Sequence, residues 1–339
     1  MMPRPARGRG LVMSSRPRHK RCNQRIRSGH MPQHITILLA TYRGAEHLPR
    51  QLASIAAQTH RDWSLVISDD GSTDATPRIA ADFAASRPAG QVRIRRGPRQ
   101  GATMNFLSMI DEVPEGAAMA FCDQDDHWFP DKLARAATHV ATDAPVHYAA
   151  RTIIANQDLH PLTGSRYFRR PLGFRNALVQ AIMAGNASVF SADAVRLLRI
   201  AAPSAIRAQV PSHDWWAYQV TSGAGARLVH DPKPCLLYRQ HGRSEVGRND
   251  TALAMALRLR KLMSGDYGDW LRANREAIAP VADLLTPANR RVFETFCDAQ
   301  AAKGPRCAAL LRQAGLYRQT RAGTTALYAS AVAGAWRPR

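Results

Sequence analysis

Three carboxylates crowd into four consecutive residues near the middle of the chain. Asp123, Asp125 and Asp126 directly follow the apolar run at residues 117–121 (AAMAF). Carboxylates this close repel one another and raise each other's pKa unless a cation or a fixed set of donors neutralises them. A hard divalent ion such as Mg²⁺ or Mn²⁺ satisfies them with oxygen ligands. The spacing predicts a metal site at the end of a buried strand, with a solvated acidic turn as the alternative.

A second acidic cluster follows another predicted strand. Residues 35–40 (ITILLA) are a continuous apolar run, as expected for a strand that helices cover on both faces, and residues 63–68 (WSLVIS) are the next predicted strand. Apolar side chains recur at helical spacing between the two runs, so the pattern is βαβ and predicts a parallel sheet. Ligands of open α/β sheets bind outside the carboxyl ends of strands. Because Thr41, Asp70 and Asp123 all follow strand ends, they should converge on one cleft.

The whole pattern predicts an α/β fold with a mostly parallel, Rossmann-like sheet flanked by helices. The predicted elements that follow are helices at 76–85, 103–111 and 192–200, a helix after residue 214, strands at 92–95, 117–121, 228–229 and 235–238, and apolar runs at 148–155 and 187–190. From residue 251 the chain is predicted to be helical, and it is rich in Arg and Ala.

Composition narrows the class of protein. The chain has 339 residues, 45% of them hydrophobic, which is enough for a large core. The formal net charge is +21, and a basic balance suggests a polyanionic partner: nucleic acid, anionic lipid or a substrate diphosphate. Five scattered cysteines without paired spacing predict reduced thiols and a cytoplasmic protein. No apolar run approaches the ~20 residues of a membrane-spanning helix.

Four ordered blocks of residues are similar to a known family. The blocks are residues 40–44 (ATYRG) with 51–59 (QLASIAAQT), 68–74 (SDDGSTD), 122–128 (CDQDDHW) with 130–133 (PDKL), and 213–216 (HDWW) with 238–242 (YRQHG). In these blocks the chain resembles glycosyltransferase family 2, which has the GT-A fold, and within it the bacterial rhamnosyltransferase-like branch. The resemblance spans residues 35–247, more than half of the chain.

The resemblance implies a nucleotide site that includes Thr41, Tyr42 and Asp70. The Asp70 carboxylate would accept a hydrogen bond from the ring N–H of uracil or thymine, and a charged acceptor makes such a bond stronger than a neutral one. The donor substrate would therefore be a dTDP-sugar or a UDP-sugar. The alternative for Asp70 is a structural turn residue before Gly71.

The same resemblance places the Asp-x-Asp motif (residues 123–125) on the donor. Asp123 would contact the ribose and contribute to the metal site, Gln124 would bind the donor, and Asp125 would coordinate Mg²⁺ or Mn²⁺ across the diphosphate. His241, in the YRQHG block, is implied as a third metal ligand or a phosphate donor. A lone histidine is as often structural, so that alternative stays open.

Asp214 matches the family's catalytic carboxylate. A sugar hydroxyl is a poor nucleophile until its proton is removed during attack on the anomeric carbon. The resemblance implies that Asp214 removes this proton from the face opposite the diphosphate, so that transfer inverts the anomeric carbon. The alternative is that Asp214 caps a helix that begins at Trp215. Gly185 and Asn186 are expected to line the acceptor side or to form a simple tight turn.

Three regions are expected along the chain. Residues 1–30 hold nine Arg and Lys with no Asp or Glu, and they are predicted to be a disordered basic tail or a mis-assigned start, with an Arg-rich targeting peptide as the alternative. Residues 31–250 would form the GT-A domain. Residues 251–339 would form a helical appendage, whose arginines and apolar side chains suit an interfacial helix on anionic lipid. Packing on the catalytic domain or on a second subunit is the alternative.

The leading hypothesis is an inverting, metal-dependent glycosyltransferase. It would move a sugar, L-rhamnose from dTDP-rhamnose by the branch resemblance, to a cell-surface polysaccharide or a lipid-linked acceptor at the cytoplasmic face of the inner membrane. One alternative is a nucleotidyltransferase, but residues 40–44 lack its Gly-rich basic loop. The other is a non-catalytic polyanion binder. Nucleic acid is not an expected partner, because the strongest basic cluster lies in residues 1–30 and the other basic residues lack an aromatic-interleaved motif.

Overall fold

The computed structural model of the protein describes residues 33–240, 266–334 and 336. Its strands are β1 (Ile35–Thr41), β2 (Trp63–Asp69), β3 (Val92–Arg96), β4 (Ala118–Cys122), β5 (His127–Trp128), β6 (Val146–Ala150), β7 (Ile153–Ala155), β8 (Pro161–Gly164), β9 (Ser188–Phe190), β10 (Arg227–Asp231) and β11 (Leu236–Arg239). Its helices are α1 (Leu48–Ala56), α2 (Thr76–Ala85), α3 (Ala102–Met109), α4 (Lys132–Val140), α5 (Phe174–Ala177), α6 (Ala192–Arg207), α7 (His213–Gly223), α8 (Asp266–Ile278), α9 (Pro287–Ala301), α10 (Pro305–Gln313) and α11 (Arg321–Val332). The predicted basic tail at 1–30 and His241 lie outside the described residues.

Within the described part of the chain, a seven-stranded sheet has the order β10-β6-β9-β4-β1-β2-β3. All neighbouring strands in it are parallel except β9, which is antiparallel to both β4 and β6. The predicted α/β architecture, a mostly parallel sheet flanked by helices, is confirmed.

Strand β1 shows why the predicted strands lack polar alternation. Ile35, Ile37 and Leu39 point into one core with α1 and α4. Leu38 and Ala40 point into a second core on the opposite face, with α3, α6 and α7. Successive side chains of a strand point to opposite faces, so a strand covered on both faces must be apolar throughout.

A second, four-stranded sheet in the order β5-β11-β7-β8 was not predicted. The apolar run at 148–155, expected as one element, is divided between β6 of the main sheet and β7 of this one. Arg151 lies at the break: its N–H donates to the Asp231 carbonyl oxygen and its Nε to the Ser165 carbonyl oxygen. Helix α6 also continues beyond the predicted end at residue 200, through Pro203 to Arg207.

The helices after residue 266 share a core with α5 and α7. Phe174 and Trp215 pack in one cluster with Leu271, Phe296 and Leu327 of the C-terminal helices. The burial of these side chains agrees with the alternative in which this region packs on the catalytic domain. None of the helices in the described ranges is long and apolar enough to span a bilayer.

Candidate active site

The carboxyl ends of β1, β2 and β4 lie side by side at one edge of the main sheet. Thr41 pairs with Asp69 across β1 and β2, and Leu39 pairs with Cys122 across β1 and β4. The loops that follow these strands therefore begin at neighbouring points, as the strand pattern predicted.

Asp69 organises the turn that follows β2. Its Oδ1 accepts hydrogen bonds from the hydroxyls of Thr41, at 3.0 Å, and Ser72, at 2.6 Å. Its Oδ2 accepts from the Ser72 N–H at 2.9 Å. Thr41 is only 2% exposed, and its hydroxyl is engaged in this turn. The Thr41 hydroxyl therefore ties the end of β1 to the turn that follows β2.

Asp70 is held by the loop that follows β3. Its Oδ1 accepts from the Arg99 N–H at 2.6 Å, and its Oδ2 accepts from the Gly101 N–H at 2.8 Å. Gly97 allows this close approach, because a Cβ there would lie 2.6 Å from Asp70 Oδ1. Asp70 is 7% exposed. Since each carboxylate oxygen has two lone pairs, each can still accept from a ligand N–H.

The side-chain amide of Gln124 clasps the loop that follows β1. Gln124 Oε1 accepts from the Tyr42 N–H at 2.9 Å, and Gln124 Nε2 donates to the Tyr42 carbonyl oxygen at 3.0 Å. A Cβ at Gly44 would lie 2.1 Å from Gln124 Oε1, so the glycine makes room for the clasp. The Tyr42 side chain is 50% exposed and is free to meet a ligand at the rim. Gln124 thus holds the loop that carries Tyr42.

Arg43, the next residue, has a left-handed backbone, with φ of 45°. This conformation is uncommon for a residue with a Cβ and is often found at functional sites. Its N–H donates to the Ser72 hydroxyl at 2.8 Å, which ties the β1 loop to the β2 turn. Its guanidinium lies 5.4 Å from the centre of the Tyr42 ring, at the rim of the cleft.

The three carboxylates after β4 have different environments. Asp126 is fully buried, whereas Asp123 and Asp125 are partly exposed. Asp126 Oδ2 accepts from Asn186 Nδ2 at 2.7 Å, and Asp126 Oδ1 has no partner among the described residues. Burial, together with the charges of Asp123 and Asp125, raises the pKa of Asp126 well above its usual range. The sequence grouped the three carboxylates, but of these only Asp126 is buried.

The environment of the Asp-x-Asp motif fits a divalent cation. The negative charges of Asp123 and Asp125 contribute to the raised pKa of Asp126, and a cation at the motif would offset these charges. Within the described ranges, no group of three or more His, Cys, Asp or Glu side chains is arranged as a metal site. Mg²⁺ is commonly held by one or two carboxylates and by substrate phosphates, so a complete protein cage is not required.

Asp214 lies in the first turn of α7, partly buried. Its Oδ2 accepts from the Gly185 N–H at 3.1 Å. Its Oδ1 accepts from the Trp215 N–H at 2.6 Å and from the Ser212 hydroxyl. The N-cap position itself is occupied by Ser212. These donors fix the orientation of the carboxylate and leave lone pairs for a substrate hydroxyl.

Gly185 packs so closely on α7 that no side chain fits there. A Cβ at Gly185 would lie 2.7 Å from His213 Nε2 and 3.2 Å from Asp214 Cβ. The His213 ring stacks on Phe106, with centroids 4.1 Å apart. Burial lowers the pKa of His213, although the nearby Asp214 charge opposes this shift. Gly185–Ala187 form a short 3-10 turn, and the Gly185 N–H of this turn donates to Asp214.

Sequence reasoning missed several residues that shape the site. Asp69, Gly97 and Asn105 hold the β2 and β3 loops, and Lys132 is fully buried beneath the β4 loop. The Asp-Asp-Gly turn was a usable signal for Asp69. Lys132 gave none, because a lysine at the start of a helix normally reaches solvent.

Comparisons with known proteins give a family match and several similar proteins. Residues 36–196 match Glycosyl transferase family 2. The chain is 27% identical over 284 residues to the dTDP-rhamnosyl transferase RfbG of Shigella flexneri, which covers 78% of this chain and 89% of that protein. It is 24% identical over 99 residues to the UDP-Glc:alpha-D-GlcNAc-diphosphoundecaprenol beta-1,3-glucosyltransferase WfgD of Escherichia coli, which covers 29% of this chain and 38% of that protein.

Among solved structures, the mannosyltransferase PcManGT from Pyrobaculum calidifontis, in complex with GDP-Man and Mn²⁺, is 19% identical. The alignment covers 90% of this chain and 86% of that one, with a TM-score of 0.48. The match over residues 36–196 and the similarity to proteins named as glycosyltransferases show that the chain is a glycosyltransferase with a glycosyltransferase family 2 domain at residues 36–196.

Proposed function

We propose that this protein is an inverting, metal-dependent glycosyltransferase that moves L-rhamnose from dTDP-rhamnose to a saccharide or lipid-linked glycan. The observation that carries the proposal is the placement of chemically distinct carboxylates around the same sheet edge. Asp70 follows β2 and the Asp-x-Asp motif follows β4, the two parallel strands on either side of β1. Asp214 is held by the Gly185 N–H, next to the residue that holds the β4 loop.

On the donor side, this chain supplies a base-binding carboxylate and a charged rim. Asp70, already fixed by two backbone N–H groups, accepts a hydrogen bond from the pyrimidine ring N–H. Asp125 and Asp123 would hold Mg²⁺ or Mn²⁺. The bound ion would stabilise the negative charge that develops on the departing diphosphate.

On the acceptor side, Asp214 acts as general base. Its Oδ1 and Oδ2 are oriented by three donors, so the carboxylate is preorganised to take the proton of an acceptor hydroxyl. The hydroxyl oxygen then forms a bond to the anomeric carbon as the bond to the diphosphate breaks. Attack from the side opposite the leaving group gives inversion.

The choice of dTDP-rhamnose is supported by the relative named dTDP-rhamnosyl transferase, which matches across 78% of this chain. The lipid-linked acceptor is supported by the relative named as acting on a diphosphoundecaprenol-linked sugar, over a shorter span. A peripheral membrane contact at the cytoplasmic face would use the exposed basic residues of the C-terminal helices, because apolar residues such as Leu327 and Ala331 are buried.

The proposal is tested with Asp214→Asn and Asp125→Asn in the full chain. Asp214→Asn should keep nucleotide binding and lower turnover by about 10²–10⁴-fold, the usual contribution of a general base. Asp125→Asn should abolish the effect of Mn²⁺ on donor binding. Asp193→Asn is the matched control, because Asp193 is also a first-turn residue, of α6, but follows β9 at the opposite edge of the sheet. Full turnover by Asp214→Asn would remove Asp214 as the base.

A further inference from the structure

Two adjacent residues in one turn hold two different carboxylates. The turn is a short 3-10 segment, Gly185–Ala187. The Gly185 N–H donates to Asp214 Oδ2 at 3.1 Å, and Asn186 Nδ2 donates to Asp126 Oδ2 at 2.7 Å. One peptide unit therefore connects the start of α7 with the loop that follows β4.

A buried lysine donates a hydrogen bond to the same turn. Lys132 is fully buried, and its Nζ donates to the Asn186 carbonyl oxygen at 2.5 Å. The ammonium also lies 3.8 Å from the centre of the Trp128 ring. Burying an ammonium group costs several kcal/mol unless close partners compensate. Because an unpaired ammonium would be costly here, the hydrogen bond from Lys132 fixes the position of the Asn186 carbonyl oxygen.

The contacts leave the turn little freedom to move. Asn186 is 6% exposed and is held through both its amide side chain and its carbonyl oxygen. Gly185 cannot shift toward α7, because the space for even a Cβ is filled by His213 and Asp214. Among the described residues, the Asp126 carboxylate has Asn186 as its one hydrogen-bond partner.

We propose that Asn186 and Lys132 are positioning residues for the transfer reaction. They fix the Gly185 N–H, and with it the Asp214 carboxylate, at a set distance from the loop that carries the Asp-x-Asp motif. This inference rests on the proposed function, in which the base and the metal motif act on opposite sides of one anomeric carbon.

The reaction requires this distance to be fixed. Attack in line with the departing diphosphate needs the base, the acceptor hydroxyl and the anomeric carbon in register, and a misplacement of 1 Å costs about 10²-fold in rate. Neither Asn186 nor Lys132 contacts the Tyr42 loop or Asp70 in the described structure. Disrupting them should therefore lower kcat while affinity for the nucleoside alone, whose base would be bound by Asp70 and not by the Asp-x-Asp loop, changes by less than about threefold.

The kinetic test uses Asn186→Ala, which removes the side-chain bond, and Lys132→Met, which removes the buried charge at similar volume. Each should lower kcat by about 10²-fold. Asn289→Ala is the matched control, because Asn289 Nδ2 bonds the carbonyl oxygens of Ser222 and Gly223 at the other end of α7. It should lose stability without losing kcat. The Asn186→Ala/Asp214→Asn double variant should transfer no more slowly than Asp214→Asn, because both changes act through one carboxylate.

Amide hydrogen exchange of Gly185, followed by NMR, tests whether Asn186 and Lys132 hold the Gly185 N–H in place, and it does not require turnover. Exchange should be at least about tenfold faster in Asn186→Ala and Lys132→Met than in the wild type, and unchanged in Asn289→Ala. Unchanged exchange in both variants would overturn the inference. So would a kcat of the Asn186→Ala/Asp214→Asn double variant that is reduced by the product of the two single reductions. If the wild type transfers no sugar while Gly185 protection still depends on both residues, the proposed function fails and the link between the two carboxylates stands.

Discussion

Gln124→Ala tests how the loop that follows β1 is held in its binding conformation. The substitution removes both hydrogen bonds between the Gln124 amide and the Tyr42 backbone. A neutral hydrogen bond contributes about 0.5–1.5 kcal/mol net, and a partly exposed pair falls toward the lower end, so the clasp should be worth about 1–2 kcal/mol. If the loop must be closed to bind the nucleotide, affinity should fall by about 5- to 30-fold.

Gln124→Glu separates the clasp from simple loss of volume. The carboxylate keeps an acceptor for the Tyr42 N–H, but it places a charged oxygen against the Tyr42 carbonyl oxygen, where the amide N–H₂ donates in the wild type. Two acceptors facing each other repel, so this variant should bind the nucleotide more weakly than Gln124→Ala does.

The assay is calorimetric titration of each variant with the nucleoside diphosphate, with urea unfolding to measure stability. Gln313→Ala, an exposed glutamine at the end of α10, is the control and should match the wild type. The account of the clasp is refuted if Gln124→Ala and Gln124→Glu bind as tightly as the wild type, or if Gln124→Glu binds more tightly than Gln124→Ala.

Three further predictions concern stability. Burial lowers the pKa of His147 from its usual 6.5 to about 3, so the unfolded state is protonated at a higher pH than the folded state. The free energy of unfolding should therefore fall as the pH decreases from 6.5 to about 3, by up to about 1.4 kcal/mol per pH unit. In urea titrations, the free energy of unfolding of His147→Gln should depend less on pH than that of the wild type, and an equal dependence would contradict this prediction. Asn274 is buried, and neither polar atom of its side-chain amide has a hydrogen-bond partner among the described residues. Asn274→Leu should therefore raise the free energy of unfolding by about 1–2 kcal/mol. A free energy of unfolding below that of the wild type would show that the amide has a compensating partner. Gln319→Ala removes the hydrogen bonds of the Gln319 side chain to the Arg170 N–H and to the Arg170 carbonyl oxygen. It should lower the free energy of unfolding by about 1–2 kcal/mol and leave nucleotide affinity unchanged. Weaker nucleotide binding would argue against a purely structural role.

The fold was predictable because its strands are covered on both faces. Residues 35–40, 63–68 and 117–121 are mostly apolar, and they correspond to β1, β2 and β4. Such runs are typical of strands that helices cover on both sides, so the sequence alone placed the carboxyl edge of the sheet. The second sheet was missed because β5 and β8 are short, and β8 is exposed at every residue, which gives no hydrophobic period.

The candidate site was less predictable, because burial of a polar side chain leaves no mark in the sequence. Asp126 and Asp125 are adjacent in one acidic run, yet Asp126 is fully buried while Asp125 is partly exposed. Lys132 appeared to be an ordinary lysine at the start of a helix and instead lies beneath the site. Such assignments depend on which way a loop turns and on partners more than 50 residues away, such as Asn186.

The most direct test of the central claim is calorimetric titration of the full chain with dTDP, UDP and CDP, with and without Mn²⁺. The account predicts metal-dependent binding of dTDP that is tighter than binding of CDP, because the Asp70 carboxylate accepts the thymine ring N–H, which cytosine lacks, and the ion would join the Asp-x-Asp motif to the diphosphate. Equal binding of dTDP and CDP, or dTDP binding that is the same without metal, would contradict it.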